Sequence, residues 1–132
     1  MGQSKPFSLV ALVVEDDHSQ RQVISLLLED SDYVVIECSS AEAAEQVLRE
    51  RGRQLSLLFT DVNLRGQMTG VELAFIARKY NPSLEIVVTS GKPLLQPLPD
   101  GAKFWPKPWA RRDLLREAAM VQQAAAHILT TL

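Results

Sequence analysis

Carboxylates, hydroxyls and a lysine stand at the ends of apolar runs in this sequence. Leu9–Val14 runs into Glu15-Asp16-Asp17, Leu55–Thr60 into Asp61, Leu84–Val88 into Thr89-Ser90, and Ala102–Trp105 leads through Pro106 to Lys107. Several carboxylates in one pocket repel each other and need a compensating cation. Oxygen ligands without His or Cys suit a hard ion, best Mg²⁺, which keeps some of its waters. A lysine and a hydroxyl beside such an ion suit a phosphoryl group, one as a point charge and the other as a hydrogen-bond donor. A carboxylate can itself be the nucleophile that accepts that group. Read singly, each feature has a plainer meaning. Asp16 and Asp17 could cap a helix, Thr89 and Ser90 could end a strand, and Lys107 could sit on a surface loop.

The elements decide whether these groups meet. Leu9–Val14 is near-continuously apolar, as in a strand covered on both faces. Asp17 with Gln20 marks a helix start, and Val23, Ile24, Leu27 and Leu28 follow at helical spacing. Tyr33–Cys38 reads as a second strand. Ser39 with Glu42 forms a capping-box pattern before Ala43, Ala44, Val47 and Leu48, with Gly52 as a stop. Leu55–Thr60 is a third strand, and Gly66 and Gly70 mark a loop. A helix carrying Val71, Leu73, Ala74 and Ile76 ends before Asn81-Pro82. Leu84–Thr89 is a fourth strand, Ala102–Trp105 a short fifth, and a long helix runs from Arg111. This alternation implies an α/β fold, a doubly wound five-stranded parallel sheet with helices on both faces. Ligands of such sheets bind beyond the carboxyl ends of the strands, where the polar groups lie.

Taken together, these motifs resemble those of the response-regulator receiver domains of two-component signalling. The matching pieces are Ala11–Asp17, Leu57–Leu64, Gly70-Val71-Glu72-Leu73, Val87–Gly91 and Lys107-Pro108-Trp109, in the family's order over about residues 9–122. The resemblance implies a flavodoxin-like sheet of strand order 2-1-3-4-5. It implies that Asp61 is the phosphoacceptor and Asp16 a direct Mg²⁺ ligand. Glu15 contributes to the metal site through water, and Asn63 offers its backbone carbonyl. Thr89 binds the phosphoryl oxygen, Lys107 pairs with the phosphoryl group, and Phe104 matches the switch aromatic, although its position also suits plain core packing. The implied phosphoryl donor is a histidine kinase or a histidine phosphotransfer protein. The alternatives are an unphosphorylated pseudo-receiver scaffold and an aspartyl-nucleophile phosphatase. The phosphatase usually has a second Asp where Asn63 stands, and the full acidic, Thr and Lys set is more than a scaffold needs.

Two departures from the family pattern carry structural expectations. Thr89 and Lys107 are 18 positions apart, shorter than usual, and Pro93, Pro97 and Pro99 fall between them. A regular fourth helix is not expected there, because an interior proline removes an amide donor and costs about 3 kcal/mol. The final helix continues past the usual end, to about residue 131, with Leu114, Leu115, Ala118, Val121, Ala125, Ile128 and Leu129 as an apolar stripe. That stripe and the proline-rich loop are the expected partner surface, with a homodimer through the last helix as one use.

Composition bounds the rest. The 132 residues, 46% hydrophobic and 23% charged, are read as one receiver domain, residues 1–132, of stand-alone type. The net charge of −2 lacks the basic footprint of nucleic-acid binding. No apolar run reaches the roughly 20 residues of a membrane span. The first residues resemble neither a secretory signal nor a myristoylation site. The single cysteine, Cys38, excludes an internal disulfide and fits a cytoplasmic location.

Overall fold

The computed structural model describes residues 8–131, without the side chains of 129–131. The readings of the first residues and of the Leu129 side chain therefore lie outside the described residues. The strands are β1 (Val10–Val14), β2 (Val34–Cys38), β3 (Leu57–Asp61), β4 (Glu85–Ser90) and β5 (Lys103–Pro106). The helices are α1 (His18–Asp30), α2 (Ala41–Arg51), α3 (Gly70–Tyr80) and α4 (Arg111–Thr131), with a 3₁₀ turn at Gly52–Gln54. All strand pairings are parallel, in the order β2-β1-β3-β4-β5. Fold and strand order are those expected.

The central strands are buried on both faces, which is why their sequences are apolar without alternation. Leu12, Val14, Leu58, Ile86 and Val88 face Ala44 and Leu48 of α2 and Leu73, Ala74 and Ala77 of α3. Ala11, Val13, Leu57, Phe59 and Val87 face Ile24 and Leu28 of α1 and Leu114 and Ala118 of α4. Trp105 and Trp109 close this second layer. The Phe59 ring meets them edge-on at 5.8 and 5.3 Å, contacts worth about 0.5–1.5 kcal/mol each beyond area burial. The α1 pattern is only partly core-facing, since Val23 is 44% exposed.

No regular helix forms between β4 and β5, as the prolines require. Leu98 packs on the first core layer in its place, whereas Leu95 is 91% exposed. Arg78 of α3 ties the end of this segment, donating to the carbonyls of Asp100 at 3.0 Å and Leu84 at 2.6 Å.

Two local readings need correction. Ser40, not Ser39, caps α2, accepting from the Ala43 amide, and Glu42 turns away from the helix to the β3–α3 loop. The capping box lies at Thr69 and Glu72, where both reciprocal bonds form. Gly52 caps the end of α2, as expected, and its φ of −53° leads directly into the 3₁₀ turn. Gly70 is the first residue of α3 rather than a loop residue.

α4 is pinned to the sheet by charge as well as by apolar contact. The Lys103 ammonium lies 2.8 Å from Glu85 and 3.1 Å from Glu117, which is buried. Burial, then the neighbouring Glu85 carboxylate, pushes the Glu117 carboxyl up to about 7. A carboxyl raised in the fold favours the protonated folded state. Its contribution is therefore complete below the unfolded glutamate value of about 4.3 and is lost as pH rises through about 7. In chemical unfolding between pH 4.5 and 7.5, Glu117 should make stability fall by up to about 1.4 kcal/mol per pH unit. Glu117→Gln should flatten that slope, and an unchanged slope would remove Glu117 as its source.

Candidate functional site

The parallel register delivers the polar groups to one edge of the sheet. Val14 pairs with Thr60, Asp61 with Thr89, and Thr89 with Trp105. Glu15, Asp16 and Asp61 therefore converge, with one oxygen from each within 4.8 Å of the others. Lys107 reaches in from the loop after β5, its ammonium 3.5 Å from both Glu15 Oε1 and Asp61 Oδ2. Gln20 Oε1, on the first turn of α1, accepts a hydrogen bond from the same ammonium at 3.2 Å.

Backbone contacts fix these side chains. Asp17 caps α1 by accepting from the Gln20 amide at 2.8 Å, and its own amide donates to Glu15 Oε2 at 3.0 Å. Arg21 donates to the Glu15 carbonyl at 2.7 Å. Behind Asp61, the Gly70 amide donates to the Val62 carbonyl at 2.9 Å. A Cβ on Gly70 would lie 1.9 Å from the Asp61 carbonyl oxygen, so only glycine lets α3 start this close to the nucleophile candidate.

The long loop between β3 and α3 is clamped from α2. Glu42 Oε2 accepts from the Gln67 and Met68 amides at 2.9 and 3.0 Å, and Gly66 turns beside it with φ +97°. The same loop brings Arg65 to 3.9 Å from Asp16. Asn63 is exposed, and its amide donates to Ser90 Oγ at 3.3 Å. Thr89 is buried and donates its hydroxyl to the Trp105 carbonyl at 2.8 Å. Phe104 is half-buried beside Val88, one position off the Thr89–Trp105 pair.

The acidic group fits a divalent cation. Asp61 Oδ1 is buried and has no hydrogen-bond partner, a costly state for a carboxylate oxygen without a cation or donor. Burial pushes the carboxyls of Glu15 and Asp61 above the usual range, against the opposing pull of Lys107. A bound cation would reverse that cost, and an all-oxygen donor set selects a hard one.

The groups brought together are thus Glu15, Asp16, Asp61 and Lys107, with Thr89 one strand away. Reading the residues alone missed Gln20, Glu42 and the Trp105 carbonyl. Gln20 and Lys107 are far apart in sequence, and a main-chain acceptor leaves no trace in residue type. The cap at Asp17 and Gln20 was the only available pointer to that turn.

A parallel α/β sheet with this acidic edge defines the class, and the comparisons agree. The chain belongs to the response regulator receiver domain family of two-component signalling, whose model matches residues 11–119. It is 33% identical over 119 residues to the response regulator receiver protein CpdR of Brucella abortus (strain 2308), covering 86% of this chain and 97% of CpdR. The sensor kinase CckA of the same organism is 30% identical over 112 residues, 81% of this chain and 12% of the kinase. Among solved structures, the receiver domain from the hybrid histidine kinase CckA aligns with a TM-score of 0.74 at 28% identity, over 85% of this chain and 97% of that one. A response regulator receiver protein from Sinorhizobium medicae WSM419 shares the fold at a TM-score of 0.79 and 23% identity, over 89% and 96% of the two chains.

The close approach at Gly70 is open to test. Gly70→Ala should cost about 2 kcal/mol or more, because the methyl group must displace main chain rather than a flexible side-chain tip. It should also weaken the Mg²⁺ response of tryptophan fluorescence. Wild-type values for both in urea unfolding and Mg²⁺ titration would show that α3 can shift without moving Asp61.

Proposed function

We propose that this chain is a phosphoacceptor switch in which Asp61 takes a phosphoryl group from a phosphohistidine in a Mg²⁺-dependent reaction. The observation that carries the reading is Asp61 itself. It is buried, Oδ2 faces the Lys107 ammonium, and Oδ1 is unpartnered beside Glu15 and Asp16. A carboxylate oxygen of Asp61 attacks phosphorus as the N–P bond breaks, and that bonding pair returns to the imidazole nitrogen. Lys107 neutralises charge on the phosphoryl oxygens as they spread toward the transition state. Mg²⁺, held by Asp16, Asp61, the Asn63 carbonyl and Glu15 through water, would supply the positive charge that lets an anionic nucleophile approach an anionic phosphoryl group.

The phosphorylated state acts through contacts rather than turnover, so the chain is not an enzyme toward other substrates. Thr89 would exchange its bond to the Trp105 carbonyl for one to a phosphoryl oxygen, which frees β5 at Trp105 and Phe104. The donor is a histidine kinase or a histidine phosphotransfer protein, and a receiver within the sensor kinase CckA shows the same module joined to a kinase. The phosphorylated surface would engage a downstream protein, or a second copy, through α4 and the proline-rich loop. A cytoplasmic location suits this exchange, and among the described residues no helix is long and apolar enough to cross a membrane. The phosphatase alternative loses support at Asn63, which donates to Ser90 and has no acid to offer a leaving group.

Incubation with a small phosphodonor and Mg²⁺ should add one phosphoryl group by intact mass, and Asp61→Asn should add none. Lys107→Ala should slow the gain on the order of 10- to 100-fold without unfolding the protein. Thr89→Ala should accept the group yet lose the accompanying tryptophan fluorescence change. An Asp61→Asn protein that still gains the group, or a Thr89→Ala protein with a full fluorescence change, would contradict these roles.

A further inference from the structure

We infer that Gln20 is a positioning residue for Lys107, holding the ammonium at the acidic edge before any phosphoryl group arrives. The inference rests on the reading of Lys107 as the phosphoryl contact. An ammonium has three N–H donors on a flexible four-carbon stem. Here the three neighbouring acceptors are Gln20 Oε1 at 3.2 Å, Glu15 Oε1 at 3.5 Å and Asp61 Oδ2 at 3.5 Å. Of these, the contact to Gln20 is the shortest, and the two carboxylates attract by charge at a longer distance. The neutral amide therefore sets direction, and the carboxylates set the field.

Gln20 is itself well placed to aim. Its amide is fixed by the Asp17 cap at 2.8 Å, and it stands on the first turn of α1, packed on the sheet through Ile24 and Leu28. It lines a cavity of about 410 Å³ together with Lys107, Pro108 and Trp109. A neutral acceptor has a chemical advantage at this point. It can release the ammonium to a phosphoryl oxygen without leaving a fourth carboxylate to repel that oxygen. Fixing the lysine beforehand removes the ordering cost from the reaction step.

The test uses Gln20→Met, which keeps the length of the stem and removes the acceptor, and Gln20→Glu, which keeps the acceptor. Three quantities are read: the Lys107 Nζ resonance by NMR, the maximal phosphorylation rate with phosphoramidate, and the Mg²⁺ concentration for half-maximal fluorescence change. Gln20→Met should broaden or shift the Lys107 resonance and lower the maximal rate roughly three- to tenfold, with the Mg²⁺ midpoint and melting temperature unchanged. Gln20→Glu should restore the Lys107 resonance. An unaltered resonance and rate in Gln20→Met would overturn the inference. So would a rate loss matched by equal losses in Mg²⁺ binding and melting temperature, which would mark a folding role. If the wild-type protein takes no phosphoryl group, the phosphoacceptor reading fails, while the Lys107 resonance still decides what Gln20 holds.

Discussion

Three carboxylates held within 4.8 Å of each other, two of them buried, face a single ammonium. Ionised groups this close repel, and low exposure strengthens the repulsion by removing water. The fold has to impose the cluster, and its rigid features lie around it. Parallel registry sets Asp61 beside Thr89, the Asp17 cap and Arg21 hold the end of β1, and Gly70 lets α3 begin against the Asp61 main chain. The strain is electrostatic and local, and a divalent cation at this edge would relieve it.

The same edge explains how a local event can spread. Thr89 is linked to β5 by its ladder pairing with Trp105 and by its hydroxyl bond to the Trp105 carbonyl, and Trp105 packs with Phe59 and Trp109 against the layer that holds α1 and α4. On the opposite layer, the place between β4 and β5 is filled by an irregular segment with Leu98 inward and Leu95 outward. A change at Thr89 therefore meets an aromatic cluster and a pinned helix on one side and loop on the other. The Glu85–Lys103–Glu117 group sits under that helix and makes its attachment sensitive to charge.

Much of this was legible in the sequence because burial on both faces writes continuous apolar strands, and the polar groups interrupt them at their carboxyl ends. The prolines between Thr89 and Lys107 forbade a helix for a covalent reason, and none forms. What was not legible depended on side chains choosing between near-equal partners. Glu42 had a capping role available within its own helix, but two amides of the long loop offered more hydrogen bonds. Ser39 and Ser40 are chemically identical caps, and one residue of register separates them. Gln20 became visible only when α1 and the loop after β5 were brought face to face.

Chemical trapping of the phosphorylated residue tests the central claim most directly. An acyl phosphate on an aspartate is reduced by borohydride to homoserine, whereas a phosphohistidine is not. After incubation with phosphodonor and Mg²⁺, reduction and peptide mapping should place homoserine at position 61 and nowhere else. Homoserine at Asp16 or Asp17, or a label confined to His18 or His127, would contradict the assignment of Asp61 and with it the roles given to Lys107 and Thr89.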